Sequence, residues 1–407
     1  MTPTSVLIVT PRWTRDGGVA AHVQASAAAL IDHGLEVRVL AARVEPVEGA
    51  PDVHVYHRPD LFNRDASIDM RLGDALAFGP EIIHLHQFNH PSVVTIMRRT
   101  APVVNSAHAY SACMSGVHYF RPGHTCTRAH GPGCVPNLLL RGCGHTAYPK
   151  ELPTKYRRAG WALEALKVAD LAIAYSSAVE RHLDDNGIVR RKLVPLFTTV
   201  EPNSDSVTRA ASESAVGDQP ARRRVVFAGR VVRPKGVHIL IRAARHVDAE
   251  FVICGDGRDL EAMRKLAHRL GVGEKFDFKG WLSSDALAVE LAGASVVAIP
   301  SIWPEPFGLV GIEALATGRP VIASLTGGIT DWLEPGVTGL GVRPGDSVQL
   351  SRALGDLLDD PARQHAMGLA GRQMVAARYS RQRHVEALLD AYRTARDLWR
   401  SRPSIAL

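Results

Sequence analysis

Hydrophobic residues in this chain fall in short β-branched runs separated by stretches with helical spacing. Ser5 to Thr10 (Ser-Val-Leu-Ile-Val-Thr), Val37 to Leu40, Ile82 to His86, Val103 to Ala107 and Leu171 to Ser176 have the near-continuous apolar character of strands buried on both faces. Val19 to His33 and Trp161 to Val168 place apolar residues on one helical face, and Leu193 to Phe197 closes this half. From Thr198 to Arg224 the periodicity is lost. That stretch is rich in Ser, Ala, Pro and charge, includes Arg222-Arg223-Arg224, and reads as a connection. The alternation then resumes. Strands are expected at Val225–Ala228, Glu250–Cys254, Phe276–Lys279, Ser295–Ile299 and Pro320–Ser324. Helices are expected at Val237–His246, Asp259–Leu270, Ser284–Leu291, Val348–Leu358, Arg363–Arg378 and His384–Arg400. This is an α/β pattern of two doubly wound halves, which predicts a cleft between them.

The most informative stretch is Pro300-Ser301-Ile302-Trp303-Pro304-Glu305-Pro306-Phe307-Gly308-Leu309-Val310-Gly311-Ile312-Glu313-Ala314. It follows a buried strand, and its three prolines exclude both sheet and helix until Gly308. Leu309, Ile312, Leu315 and Ala316 then have helical spacing. The amides of Phe307, Gly308 and Leu309 fall at a helix N-terminus, which attracts phosphate, and Gly308 permits close approach of a ligand to the backbone. Glu313 can accept two hydroxyl hydrogen bonds, as from a ribose diol, and Glu305 can grip another polar group. The competing reading is a plain strand–loop–helix crossover with two solvated glutamates.

Two cations, Arg230 and Lys235, lie in the glycine-flanked loop after the first strand of the second half. Together with a helix dipole they can neutralise a leaving diphosphate without a metal ion. In the first half, Asp16-Gly17-Gly18 forms a phosphate-capable turn, and His108 follows a strand at the edge where ligands of open α/β sheets collect. His84 and His86 alternate with apolar residues and read as structural.

About residues 110–158 form an irregular insertion. From Cys113 to Arg158 it carries seven Lys or Arg against one Glu, so it suits an acidic acceptor or a membrane face. It also holds Cys113, Cys126, Cys134 and Cys143, with His118, His124, His130 and His145 nearby. A structural zinc site is one reading, and disulfides or free thiols are the others, since no Cys-x-x-Cys pair is present. The net charge of +7 is moderate, and no basic run interleaves with aromatics, so no nucleic-acid partner is expected. No apolar run reaches membrane-spanning length. The N-terminal Met1-Thr2-Pro3-Thr4 runs into a strand without the features of a leader. The expected location is the cytoplasm, with peripheral contact at the inner membrane face as the variant.

Gly229-Arg230 with Lys235-Gly236, Glu305-Pro306-Phe307-Gly308 with Glu313-Ala314, and Gly318-Arg319-Pro320-Val321-Ile322-Ala323 through Gly327-Gly328 resemble the retaining glycosyltransferases of family 4 (the glycogen synthase-like, group 1 enzymes). Gly336-Val337-Thr338-Gly339-Leu340 and Pro344-Gly345-Asp346 extend the likeness, which is dense from Val225 to Asp346 and thinner before it. The resemblance implies the GT-B fold, two Rossmann-like domains facing across a cleft. Its boundaries here are an acceptor-side domain at 1–197, a linker at 198–224, a nucleotide-sugar domain at 225–379, and a helix at 380–407 crossing back to the first domain. It implies that Arg230 and Lys235 bind the diphosphate, that Glu305 contacts the donor sugar, and that Glu313 binds the ribose. His108 would contact the transferred sugar, and Gly17, Gly18, Gly229, Phe307, Gly308 and Leu309 would surround the donor. Trp281 and Leu282 would lie near the base. The family's usual Asn before the linker is absent from Val194-Pro195-Leu196-Phe197.

The implied activity is transfer of a sugar from a nucleotide diphosphate sugar, UDP-Glc or UDP-GlcNAc being the first candidates, to a hydroxyl of a sugar, cyclitol, lipid-linked or natural-product acceptor. The mechanism would be front-face and retaining, with no cofactor required. A sugar-nucleotide 2-epimerase of the same fold is one alternative, and a non-catalytic nucleotide-sugar or metal-binding protein is the other.

Overall fold

The computed structural model of the 407-residue chain describes residues 3–402 apart from 15–16, 48, 60, 62–68, 117–118, 122–123, 141–142, 144–148, 201–204 and 214–222. Asp16, His118, His145 and Arg222 therefore lie outside the described residues. In chain order the strands are β1 (Ser5–Trp13), β2 (Glu36–Val44), β3 (His54–His57), β4 (Ile82–His86), β5 (Val103–Ala107), β6 (Tyr119–Arg121), β7 (His124–Thr125), β8 (Leu171–Ala174) and β9 (Arg191–Leu193). They continue as β10 (Arg224–Ala228), β11 (Glu250–Cys254), β12 (Phe276–Gly280), β13 (Val296–Ile299), β14 (Val321–Ser324) and β15 (Gly339–Val342). The helices are α1 (Gly18–Asp32), α2 (Asp69–Ala77), α3 (Pro91–Thr100), α4 (Cys134–Leu140), α5 (Leu152–Val168), α6 (Ser177–Asp185) and α7 (Asp205–Glu213). They are followed by α8 (Val237–Ala243), α9 (Leu260–Arg269), α10 (Ser284–Ala292), α11 (Leu309–Ala316), α12 (Ser347–Leu358), α13 (Pro361–Arg378) and α14 (Arg381–Arg400).

The described residues of 1–118, 127–195 and 381–407 cluster as one compact unit, and those of 119–126 and 196–380 as another. The sheet of the first unit has the order β3-β2-β1-β4-β5-β8-β9, all parallel. The winding direction reverses between β1 and β4, so the carboxyl ends of these strands and of β5 frame a switch point. Leu7, Val9, Ile83, Leu85 and Val103 are fully buried beneath the helices, as parallel strands covered on both faces require. The C-terminal helix α14 belongs to this unit. Val385, Leu388, Ala391, Tyr392 and Ala395 repeat at helical spacing and are buried, and α14 packs on α1, β5 and β8. Its far end is tied by Trp399 Nε1, which donates to the Arg98 carbonyl at 2.8 Å.

The sheet of the second unit runs β12-β11-β10-β13-β14-β15, again all parallel. Here the reversal falls between β10 and β13. The carboxyl end of β10 leads to Gly229-Arg230, and that of β13 leads to the Pro-bracketed Glu305.

Three departures from the sequence pattern have simple causes. β1 and β2 run on to Trp13 and Val44 because they pair with each other through that register. Helix α5 begins at Leu152, nine residues before the apolar face at Trp161. Pro153 opens its first turn, and the polar start hides the periodicity. The stretch read as a connection at 198–224 contains α7, whose Val207 packs with Ala288 and Ala292 of α10.

Candidate active site

In the second unit, two loops are locked together backbone to backbone. After β10 the chain makes a one-turn 3-10 helix, Arg233–Lys235, and turns into α8 at Gly236, which has φ 78°. The Pro234 carbonyl accepts from the Ile302 amide at 2.9 Å. A Cβ on Gly236 would run into the Pro300 carbonyl, so glycine is required there by both conformation and space. Gly236→Ala is expected to cost roughly 3 kcal/mol, a fall in melting temperature of about 6–12 °C for a unit of this size, measurable by calorimetry.

This locking puts Lys235 on Glu305. Lys235 Nζ donates to both carboxylate oxygens of Glu305, at 2.8 and 2.9 Å. Glu305 also accepts from Ser301 Oγ at 2.5 Å and Trp303 Nε1 at 2.9 Å, and its side chain is only 3% exposed. Such a buried carboxylate is tolerated because it is paired and its lone pairs are filled. The Glu305 backbone is pinned as well. It forms a parallel bridge with Gly327, and its carbonyl accepts from the Gly328 amide at 2.7 Å.

Three residues on, Gly308 caps α11 in the left-handed region at φ 83°. The amides at Gly308 and Leu309 have no acceptor within the helix, which leaves a positive helix end beside the Glu305 loop. Trp332, fully buried, holds that end. Its Nε1 donates to the Phe307 carbonyl at 2.7 Å, and its ring fills the space that a side chain on Gly311 would need. Phe307 itself is buried and packs edge-on against Tyr379 at 5.5 Å between centroids. One turn into α11, Glu313 is 8% exposed, and no cation or hydrogen-bond donor meets it among the described residues. Burial pushes its carboxyl up to about 7.

Arg230 is exposed and has no ion-pair partner among the described residues. Gly229, with φ 138°, sits against Gly255, whose missing side chain lets the two loops pass. Trp281 and Leu282 follow β12 at the same carboxyl edge, and Trp281 is 58% exposed.

In the first unit, Gly17 precedes α1, and its carbonyl accepts from Ala21. Gly18 is the first residue of that helix, and no side chain caps the N-terminus. His108 lies just past β5. Its Nε2 is 2.9 Å from Nδ1 of His86. His86 is fully buried at the end of β4, and its Nε2 has no hydrogen-bond partner among the described residues.

These two are part of a larger cluster. His84 bridges Tyr392 of α14 (2.8 Å) and Ser106 (2.7 Å), and Ser106 reaches Tyr175 at 2.9 Å. His22 of α1 and His384 of α14 both reach Ser26, and their rings lie edge to face at 5.1 Å. Burial first, and the neighbouring imidazoles second, hold His22, His84, His86 and His108 well below the usual histidine range. His384 is brought down to about 4 by burial. His108 is therefore a neutral imidazole at physiological pH, able to donate or accept a hydrogen bond. The pattern along the chain does not reveal the contributions of His22, Tyr175, His384 and Tyr392.

No disulfide joins the four cysteines among the described residues. Ser115 Oγ lies 3.3 Å from the Cys113 thiol and 3.6 Å from that of Cys143, Cys134 Sγ donates to the Ala129 carbonyl at 3.9 Å, and Cys126 clusters with the second unit. Among the described residues no three His, Cys, Asp or Glu side chains stand as a metal-binding group. Among the described residues no helix is long and apolar enough to cross a membrane.

Comparison with known proteins now bears on these features. Residues 16–203 match the family model described as "Glycosyltransferase Family 4", and residues 211–374 match "Glycosyl transferases group 1". A D-inositol 3-phosphate glycosyltransferase of Nocardia farcinica is 28% identical over 94% of this chain and 85% of its own length. For several other curated relatives the matched part spans about half of their length, 46–48%. Among solved structures, sucrose-phosphate synthase from Thermosynechococcus elongatus superposes with a TM-score of 0.74 at 21% identity, over 96% of this chain and 98% of that one. Anabaena Alr3699/HepE, solved with UDP-glucose, gives 0.65 at 18% identity over 94% and 98%. These likenesses place both Rossmann-like units in the GT-B fold class.

Proposed function

Since the chain belongs to the group 1 glycosyltransferases, we propose that it transfers a glycosyl group, with retention, from a nucleoside diphosphate sugar to an acceptor hydroxyl. The observation that carries this reading is the Lys235–Glu305 pair at the carboxyl edge of β10 and β13, beside the positive end of α11. Arg230, Lys235 and the α11 amides are assigned to the diphosphate, whose negative charge grows as it departs. Glu305, already fixed by Ser301 and Trp303, is assigned to the hydroxyls of the donor sugar. Glu313 is assigned to the ribose diol, whose two O–H donors would satisfy a buried carboxylate that has none. Gly17, Gly18 and the neutral His108 keep the phosphate and sugar contacts that the resemblance implies.

In the transfer step the bond from the anomeric carbon to the diphosphate oxygen breaks. The acceptor oxygen bonds the same face of that carbon, and the acceptor proton passes to the departing diphosphate. No protein nucleophile and no metal ion is assigned to this step. The Anabaena neighbour's complex favours a UDP sugar. The Nocardia relative favours a phosphorylated cyclitol as acceptor, and GDP-mannose-dependent relatives name the rival donor base.

The purified chain is expected to show a raised melting temperature with UDP and to convert UDP-glucose or UDP-N-acetylglucosamine plus an inositol phosphate to an α-linked product, read by mass spectrometry and NMR. Turnover of the donor without any acceptor would instead support the epimerase. If neither UDP nor GDP and their sugars stabilise or react, the reading is wrong.

A further inference from the structure

The second unit contains a second cationic feature that the transfer chemistry does not use. A cavity of about 590 Å³ is lined by four arginines, Arg242, Arg245, Arg269 and Arg352, and no carboxylate is among its lining residues. Three different helical segments supply them: the last turn of α8 with its 3-10 continuation, the last turn of α9, and the middle of α12. None of the four has an ion-pair or hydrogen-bond partner among the described residues. Other arginines of the unit are matched by acids. Arg223 pairs with Asp359, Arg224 with Glu290 and Arg343 with Asp346.

The favourable placement of cations at helix C-termini accounts for Arg242 and Arg269. It does not account for Arg352, which adds a like charge to the same cavity from mid-helix. On α12, Asp356 stands four residues from Arg352, yet no ion pair joins them among the described residues and Asp356 does not line the cavity. The N-cap Asp346 is committed to the Gln349 amide at 2.9 Å and to Arg343 at 3.0 Å. The cavity also has an apolar side, with Leu266 and Leu270 of the α9 end and the exposed Val348. Ser347 and Ser351 add hydroxyl donors. Four arginines lining one cavity with an apolar wall and a volume in the range of small-molecule pockets match a specific chemistry.

We propose that this cavity binds a small soluble polyanion, a molecule with two phosphoryl groups on a short carbon skeleton, separately from the donor site. The arginines would chelate the phosphoryl oxygens in pairs, and the leucines would cover the carbon skeleton. The proposal does not depend on the donor reading, and the two fail in different ways.

The test is titration calorimetry on the full chain with glucose 1,6-bisphosphate and with pyrophosphate, each with and without saturating UDP. One bisphosphate is expected to bind per chain, to persist under saturating UDP, and to weaken at least tenfold in Arg242→Gln/Arg352→Gln. Arg245→Gln/Arg269→Gln is expected to weaken it similarly. All four side chains are exposed, so melting temperatures within about 2 °C of the parent will confirm that both variants fold. Absence of binding, displacement by UDP, or unchanged affinity in both variants would overturn the proposal. So would capture by phosphatidylglycerol vesicles with no affinity for the soluble probes. Absence of UDP binding with bisphosphate binding intact would instead strike the donor reading alone.

Discussion

Lys235→Ala is expected to lower kcat/KM for glycosyl transfer by about 10²- to 10³-fold, the loss seen when one preorganised donor is removed from a developing anion. Two effects combine in that figure. The departing diphosphate loses a cation that the 3-10 turn and Gly236 hold in place. Glu305 loses the partner that neutralises it, and a buried carboxylate that loses its cation costs about 3–5 kcal/mol when the pair is broken from one side. Part of that cost will appear as lowered stability, so the melting temperature must be measured with the kinetics. The split between kcat and KM separates the effects. Loss of charge stabilisation in the transition state lowers kcat, whereas a sagging Glu305 loop chiefly raises KM for the donor. Glu305→Gln keeps the Ser301 and Trp303 contacts sterically possible and is expected to lose activity with a smaller stability change. Full transfer by Lys235→Ala would remove the basis of the proposed function.

Much of the second unit was legible in the sequence because its physics is local. Val-, Ile- and Ala-rich strands covered on both faces give continuous apolar runs, as at β11 and β13. A Pro-bracketed Glu before a glycine-capped helix announces a fixed carboxylate near a positive helix end. The contact of Lys235 with Glu305 was not legible, since it depends on two glycine loops packing across 70 residues of sequence. Ser301 and Trp303 as partners of Glu305 left only their spacing as a signal, at −4 and −2. Edge and surface elements were lost for the opposite reason. β3 reads His-Val-Tyr-His with both ends exposed, and α6 announces itself only through its Ser176 cap, which accepts from the Val179 amide at 3.1 Å. The histidine cluster was the least legible feature. Ser26 and His384 meet at 3.1 Å across 358 residues, and a histidine on an apolar helix face carries no mark of such a partner.

That cluster sets the acid limit of the first unit. His22, His84, His86, His108 and His384 are contributed by α1, β4, the end of β5 and α14, and the other titratable side chains among them are Tyr175 and Tyr392, both neutral over this range. On the packed elements, Arg381 pairs with Asp32 and Lys192 with Asp390. All five histidines have folded-state values depressed below the ordinary one. The unfolded chain therefore binds more protons than the folded one as pH falls through about 6.5, and stability must fall with it. The stability is fully present above the unfolded value and is lost progressively toward the folded one. For His384, whose folded value is about 4, the window is pH 6.5 to 4. By pH 5 this single residue costs about 2 kcal/mol, or roughly 4–8 °C of melting temperature, and the four others act in the same direction. Most carboxylates titrate below that range, but Glu313, pushed up to about 7, titrates within it and gains stability as pH falls, so the imidazole term is read as the difference between the parent and a histidine variant. His384→Gln, which can still donate to the Pro195 carbonyl that His384 Nδ1 meets at 2.7 Å, is expected to flatten the profile measurably. An unchanged slope in His384→Gln would show that these imidazoles accept protons in the folded state without penalty, and the neutral assignment of His108 would fall with them.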